Sequence, residues 1–252
     1  MKKNPFKAAL QANKQLIGCW VGTASPYLTE IYASIGFDWL ALDGEHGPND
    51  LRTILGQLQA MAGYDSAPVV RLPHGDATRI KQLLDAGAQN LLIPMVESAE
   101  QAAALASAMR YPPQGVRGVG TALARASQWK QIPDYLQRAN DEVCLLVQAE
   151  TVTAMEHLEE ICAVDGVDGV FFGPADLAAS MGLILEPGHP SVKAAVEEGM
   201  KLVLSRGKAA GILTADKAFA QRCLDLGAQF VAVGVDTLMI VNSARALLQQ
   251  YR

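Results

Sequence analysis

A chain of 252 residues that is 50% hydrophobic and 19% charged has ample apolar mass for a folded core, as one large barrel domain or two small domains. Its formal charge of −5, with no dense Lys/Arg stripe interleaved with aromatics, argues against a nucleic-acid partner. No apolar run reaches the roughly eighteen residues of a membrane span, and the lysine-bearing start lacks the apolar stretch and cleavage site of a secretory signal, so a cytoplasmic protein is expected.

In chain order, "MKKNPFKAALQANKQL" reads as an amphipathic helix. Eight short apolar runs rich in β-branched residues follow: "LIGCWVG" (16–22), "DWLALD" (38–43), "PVVRL" (68–72), "NLLIPM" (90–95), "VCLLVQAE" (143–150), "GVFFGP" (169–174), "AAGIL" (209–213) and "QFVAVGV" (229–235). Helical patterns alternate with them. In "NDLRTILGQLQAMAGY", Leu51, Ile54, Leu55, Leu58 and Met61 recur at helical spacing. "DATRIKQLLDAGAQ" and "FAQRCLDLGAQF" both end in a Gly-Ala pair that stops the helix before the next strand.

Eight βα units without a Pro/Ser-rich linker predict one (β/α)8 barrel spanning 1–252, ahead of a doubly wound sheet. The irregular part is 96–142, where a helix, the loop "PPQGVRGVGTALARASQW" and a second short helix separate strands four and five. Segments of this length in a compact domain usually serve function or assembly. Cys19, Cys144, Cys162 and Cys223 stand singly in apolar surroundings with no metal-like spacing, which predicts reduced, mostly buried thiols.

Active sites of such barrels sit at the carboxyl ends of the strands. Strand two delivers Asp43, Glu45 and His46 there, strand three Arg71, strand five Gln148 and Glu150, and strand six Gly173, Pro174, Ala175 and Asp176, whereas strand seven ends in Leu213 and strand eight near Gly234 and Asp236. Glu150 and Asp176 have no cation adjacent in sequence. Hard oxygen donors of this kind suit a divalent ion that keeps several waters. The alternatives are an N-cap for Asp176 and a solvent-facing Glu150.

His46 alone among four histidines falls at a strand end, near Asp43, and suits general-base work; a structural role is the alternative. His74, His157 and His189 read as surface or loop residues. Arg71 closes an otherwise apolar strand and must meet an anion, either from a substrate or in a salt bridge to Asp43 or Glu45. Lys208 precedes strand seven at the wrong end, and the other lysines fall on the N-terminal segment, helices or loops, which argues against a Schiff base. "GVRGVG" lacks the dinucleotide-binding spacing.

Taken together, "FDWLALDGEHGPN", "PVVRL", "IKQLLDAGAQNLLIPMV", "RYPPQGVRGVGTALARASQW", "LLVQAET", "GVDGVFFGPADLAASMG" and "GAQFVAVGVDT" resemble the class II pyruvate aldolases of the 4-hydroxy-2-oxoheptanedioate aldolase family, over essentially the whole chain. That resemblance implies a metal-dependent barrel enzyme that cleaves 4-hydroxy-2-oxo acids reversibly to pyruvate and an aldehyde such as succinic semialdehyde. It implies Glu150 and Asp176 as ligands of Mg2+, Mn2+ or Co2+ and His46 as the base. It further implies Arg71 at the enolate, Gln148 and the backbone of Ala175 on pyruvate, and Asp85 of "QLLDAG" raising the basicity of His46. Asp43 and Leu213 complete the expected catalytic and substrate-binding sets. A homo-hexamer with sites near subunit contacts is also implied. "LPHGDAT" and Ala149 depart from the pattern and leave the aldehyde open. The competing readings are a related sugar-acid aldolase, an acyl-CoA lyase, which lacks a basic CoA groove here, and a metal-binding protein without turnover.

Overall fold

The alternation of apolar runs and helical patterns resolves into eight parallel strands, each hydrogen-bonded to the next and the last to the first, so that the sheet closes into a barrel. The computed structural model describes residues 3–252. The strands are β1 (Leu16–Val21), β2 (Trp39–Asp43), β3 (Ala67–Arg71), β4 (Asn90–Ile93), β5 (Cys144–Ala149), β6 (Val167–Phe172), β7 (Ala209–Leu213) and β8 (Phe230–Val235). Around them run α1 (Pro5–Gln11), α2 (Pro26–Ile35), α3 (Leu51–Ala60), α4 (Ala77–Ala86), α5 (Ala99–Met109) and α6 (Tyr135–Glu142). The second half adds α7 (Val152–Glu156), α8 (Leu158–Ala163), α9 (Pro174–Ser180), α10 (Pro190–Ser205), α11 (Lys217–Leu226) and α12 (Asp236–Gln249).

Every expected strand is present, with shifts of up to two residues at the ends. β4 stops at Ile93 because Pro94 has no N–H to give the ladder, and Met95 then turns left-handed at φ 55°. The helices begin where capping chemistry dictates. Ser25, Asp50, Asp76, Ser98 and Thr151 each accept a first-turn N–H at the starts of α2, α3, α4, α5 and α7. The two Gly-Ala stops work as expected: Gly87 and Gly227 are left-handed, and the N–H groups of Ala88 and Ala228 close back on Leu83 and Cys223.

Alternate side chains of each strand face the barrel interior. Trp20, Trp39, Ala41, Val69, Cys144, Leu146, Phe171 and Phe230 fill it, while a larger apolar layer packs between strands and helices. Phe6 of α1 plugs the amino end, its ring 6.1 Å from those of Trp39 and Phe230. Gly18 leaves room for the Trp39 indole, which a Cβ at that position would strike at 2.2 Å. The four cysteines are free and buried, as expected.

The 96–142 segment holds α5, a long irregular stretch and α6. Tyr111, Tyr135 and Ala139 give it a small core of its own. Arg117, buried there, lies 4.3 Å over the Tyr111 ring and pairs with Asp85 of α4 at 2.6 Å. On α12, by contrast, Asp236 is the buried residue, and Leu238, Ile240, Val241, Leu247 and Leu248 are exposed.

Candidate active site

The interior parity that buries Trp39 and Ala41 on β2, Val69 on β3 and Leu146 on β5 carries forward to Asp43, Arg71, Gln148 and Glu150. These side chains therefore meet at the carboxyl mouth. A cavity of about 780 Å3 opens there, bordered by His46, Arg71, Gln148, Glu150, Asp176 and Leu213, with the Ala175 backbone at its edge. A second cavity, about 430 Å3, lies at the opposite end beside Arg117 and Arg125 and has no carboxylate in its wall. The chemistry belongs to the mouth.

Asp43 and Arg71 are register partners on β2 and β3, so their side chains emerge at the same level. Arg71 donates through Nε and Nη2 to the two oxygens of Asp43, at 3.0 and 2.7 Å, and its Nη1 forms an ion pair with Glu45 at 2.7 Å. Two of the five guanidinium N–H groups are hydrogen-bonded to Asp43 and the Nη1 end is paired with Glu45, so donors remain for an anion in the cavity. The guanidinium also rests 4.8 Å over Trp20. Both anionic partners named as alternatives in the sequence are thus present, and they fix the arginine rather than withdraw it from the cavity.

Asp43 also accepts from the Trp20 indole and from the backbone N–H groups of Glu45 and His46. Burial pushes its carboxyl up, but the Arg71 guanidinium outweighs it and holds the pKa below the usual range. The expected arrangement of His46 differs here. Asp43 meets the His46 backbone, not its ring, because both carboxylate oxygens are already committed. The carboxylate near the imidazole is Glu45, 3.9 Å from Nε2, and the ring is largely exposed to the cavity. Burial raises the Glu45 pKa against the pull of Arg71 and His46.

Glu150 is 2% exposed, which disposes of the solvent-facing alternative. It accepts from the Met95 N–H at 2.8 Å and from Gln148 Nε2 at 2.6 Å. The left-handed turn at Met95 aims that N–H, and Gly173 makes room for the carboxylate, since a Cβ there would lie 2.5 Å from Oε2. Burial first, then the charges of Asp176 and Glu45, push the Glu150 carboxyl up to about 7. Asp176 is the third residue of α9, not its cap; Gly173 holds the cap position without a side-chain bond.

Among the described residues no group of three or more His, Cys, Asp or Glu forms a metal cluster. The two carboxylates nevertheless fit a hard divalent ion that takes its remaining ligands from water and substrate. Glu150 is buried beside like charge, and Gln148 Oε1 is buried without a hydrogen-bond partner, so electron-rich oxygens gather here while Arg71, on the same cavity, is held by Asp43 and Glu45.

Asp85 lies elsewhere. It sits in the last turn of α4, at the amino end of the barrel, paired with Arg117, so within one chain it does not reach His46. Lys193, which the sequence offered only as a helical residue, also borders this mouth, and Asp236 lies buried at the strand-eight end where the sequence placed it. Lys193, on α10, extends into the cavity wall. Asp236, fully buried, accepts from Gly22 N–H, Thr23 N–H and the Thr23 hydroxyl, tying the ends of β1 and β8 together. A helix pattern hid the first, and the second was placed at a strand end without its role as acceptor for Gly22 and Thr23.

With this geometry in view, residues 16–243 match the model of the HpcH/HpaI aldolase/citrate lyase family. The chain is 61% identical over 249 residues to a hydroxypyruvate/pyruvate aldolase of Cupriavidus necator, across 99% of this chain and 93% of that protein. It is 55% identical to a 4-hydroxy-2-oxo-heptane-1,7-dioate aldolase of Escherichia coli, with 99% and 95% covered. Its fold superposes with a TM-score of 0.95 on the crystal structure of an HpcH/HpaI aldolase/citrate lyase family protein from Burkholderia cenocepacia, 36% identical, with 99% and 100% covered.

Proposed function

The chain belongs to the HpcH/HpaI aldolase/citrate lyase family and is a carbon–carbon lyase that performs retro-aldol cleavage, and on that premise we propose which residues carry the reaction and on what substrate. The substrate is a 4-hydroxy-2-oxo acid, cleaved reversibly to pyruvate and an aldehyde. The observation that carries this reading is the corner where Glu150, Asp176, Gln148 and Arg71 border one cavity.

Glu150 and Asp176 would hold a divalent ion, Mg2+, Mn2+ or Co2+, which when bound polarises the keto group of the 2-oxo acid. Gln148 and the Ala175 N–H, in the first turn of α9 where no intrahelical acceptor exists, orient the pyruvate half. His46 takes the proton of the C4 hydroxyl. The C3–C4 bond then breaks, its electron pair passes to the pyruvate half as an enolate, and C4 becomes the aldehyde carbon. The N–H groups of Arg71 that are not given to Asp43 stabilise that charge as it develops. Protonation of C3 releases pyruvate.

The aldehyde is either a semialdehyde acid, as the name of the 4-hydroxy-2-oxo-heptane-1,7-dioate aldolase relative implies, or a hydroxyaldehyde, as the sugar-acid alternative requires. Hydroxypyruvate and pyruvate, which name the other relative, are both 2-oxo acids and concern the enolate half. The exposed apolar face of α12 supports a homo-oligomer, and a hexamer is the form the resemblance implies. In such an assembly Asp85 would act on the His46 of a neighbouring copy. Four free, buried cysteines support a cytoplasmic setting.

The test is aldol cleavage after exhaustive chelation. Activity should vanish and return with a divalent ion; full activity in the chelated enzyme would remove Glu150 and Asp176 as ligands.

A further inference from the structure

Away from that corner, the mouth is walled by the end of β7 and the starts of α10 and α11, where Lys193 and Asp216 face one another. Lys193 Nζ lies 2.6 Å from Asp216 Oδ2 and 5.0 Å over the Phe219 ring. Both side chains stay partly exposed, at 31% and 44%, and both border the cavity beside Leu213 and Thr214. Asp216 Oδ1 caps α11 by accepting from the N–H groups of Ala218 and Phe219. One carboxylate oxygen therefore serves the fold, and the other serves the lysine.

Capping alone needs a single side-chain oxygen. The second oxygen, with the ammonium against it, puts an acceptor and a donor side by side on the cavity wall. The ammonium has N–H groups beyond the one given to Asp216, and Oδ2 has a further lone pair.

Given the proposed function above, with pyruvate in the Glu150–Asp176 corner, the carbons beyond C4 extend toward the rest of the cavity. We propose that the Lys193–Asp216 pair recognises a hydroxyl on the aldehyde half and selects neutral hydroxyaldehydes over aldehydes that end in a carboxylate. A hydroxyl donates and accepts, so it can give its proton to Oδ2 while accepting from Nζ. A carboxylate only accepts. It would gain the ammonium but lie against the Asp216 carboxylate, in a mouth that already holds Glu45, Glu150 and Asp176.

The experiment measures aldol addition of pyruvate to three aldehydes: glyceraldehyde, which carries hydroxyls, succinic semialdehyde, which carries a carboxylate, and butanal, which carries neither. Ratios of kcat/KM between aldehydes cancel general losses of activity or fold. Wild type should favour glyceraldehyde over succinic semialdehyde. Asp216→Asn keeps the capping oxygen and removes the charge, and should shift that ratio toward the semialdehyde about ten-fold. Lys193→Gln leaves the cap untouched and should lower glyceraldehyde relative to butanal by a similar factor, so it decides the matter even if Asp216→Asn folds poorly. Ratios within two-fold of wild type in Lys193→Gln, whatever the absolute loss, would make the pair a structural tie between α10 and α11 and overturn the proposal. Exchange of the pyruvate methyl protons with solvent by wild type needs no aldehyde. Its absence would sink the reading of the corner, whereas exchange with unmoved ratios would sink only the role of Lys193 and Asp216.

Discussion

Replacing Glu150 by glutamine should stabilise the metal-free protein while destroying its capacity to bind metal. The carboxyl is held near 7 rather than its ordinary 4.5, so at pH 8 the folded chain carries a buried charge that it disfavours by two to three pKa units. At ~1.4 kcal/mol per unit this amounts to about 3 kcal/mol of strain in the ionised form. Glutamine is nearly isosteric and can keep both contacts. Its Oε1 accepts from Met95 N–H, and its amide can donate to the unpartnered Gln148 Oε1 once that side chain flips. The sign follows from the raised pKa. The penalty is absent below pH 4.5, grows as pH rises, and is complete above 7. Urea unfolding with a chelator present should therefore show Glu150→Gln more stable than wild type by up to about 3 kcal/mol at pH 8, with the difference closing near pH 4.5. In a chain of this size that corresponds to a rise in Tm of roughly 6–12 °C. A variant equal to or weaker than wild type at pH 8 would refute the idea that Glu150 is a carboxylate awaiting a cation.

Three further outcomes are expected. His46→Ala should lower kcat for aldol cleavage by roughly 10²–10⁴, the usual size of a general-base contribution, while oxaloacetate decarboxylation, which needs no hydroxyl proton removed, survives better; equal losses in both assays would give His46 a binding role instead. Arg71→Lys should lose much of both reactions, since lysine cannot make the planar fork to Asp43 and the cavity together. Arg71→Ala is the less clean probe, because stranding the buried Asp43 costs about 3–5 kcal/mol of stability as well. A wild-type rate of decarboxylation in Arg71→Lys would leave the arginine without a role at the enolate. Asp43 has a folded pKa below its ordinary 3.8, so its contribution to stability is fully present above that value and is lost as pH falls through the folded pKa. Thermal unfolding between pH 2 and 5 should show a shallower acid limb in Asp43→Asn, and an unchanged slope would count against the Asp43–Arg71 tie.

The barrel was legible because strand and helix periods alternate without interruption, and because caps such as Asp50 and Asp76 and stops such as Gly87 lie where the patterns end. Much of the mouth was legible for the same reason: interior parity on β2, β3 and β5 leads from apolar residues to Asp43, Arg71, Gln148 and Glu150. Orientation was not. That Asp43 spends its carboxylate on Arg71 and two backbone N–H groups, leaving the His46 ring nearer Glu45, depends on the turn after β2 rather than on spacing. Asp85 entered the expected set only through resemblance; in the last turn of α4, paired with Arg117, it lies at the far end of its own barrel. Lys193 belongs to a helix whose pattern is satisfied without it, and what places its ammonium in the cavity is the packing of α10 against α11.

The central claim is that Glu150, Asp176 and Arg71 together support a pyruvate enolate. It is tested most directly by following exchange of the pyruvate methyl protons with D2O by NMR, with no aldehyde present. Wild type with a divalent ion should exchange them, and chelation, Glu150→Gln or Asp176→Asn should each reduce exchange to the uncatalysed rate. Undiminished exchange in Glu150→Gln, or none in the metal-loaded wild type, would contradict it.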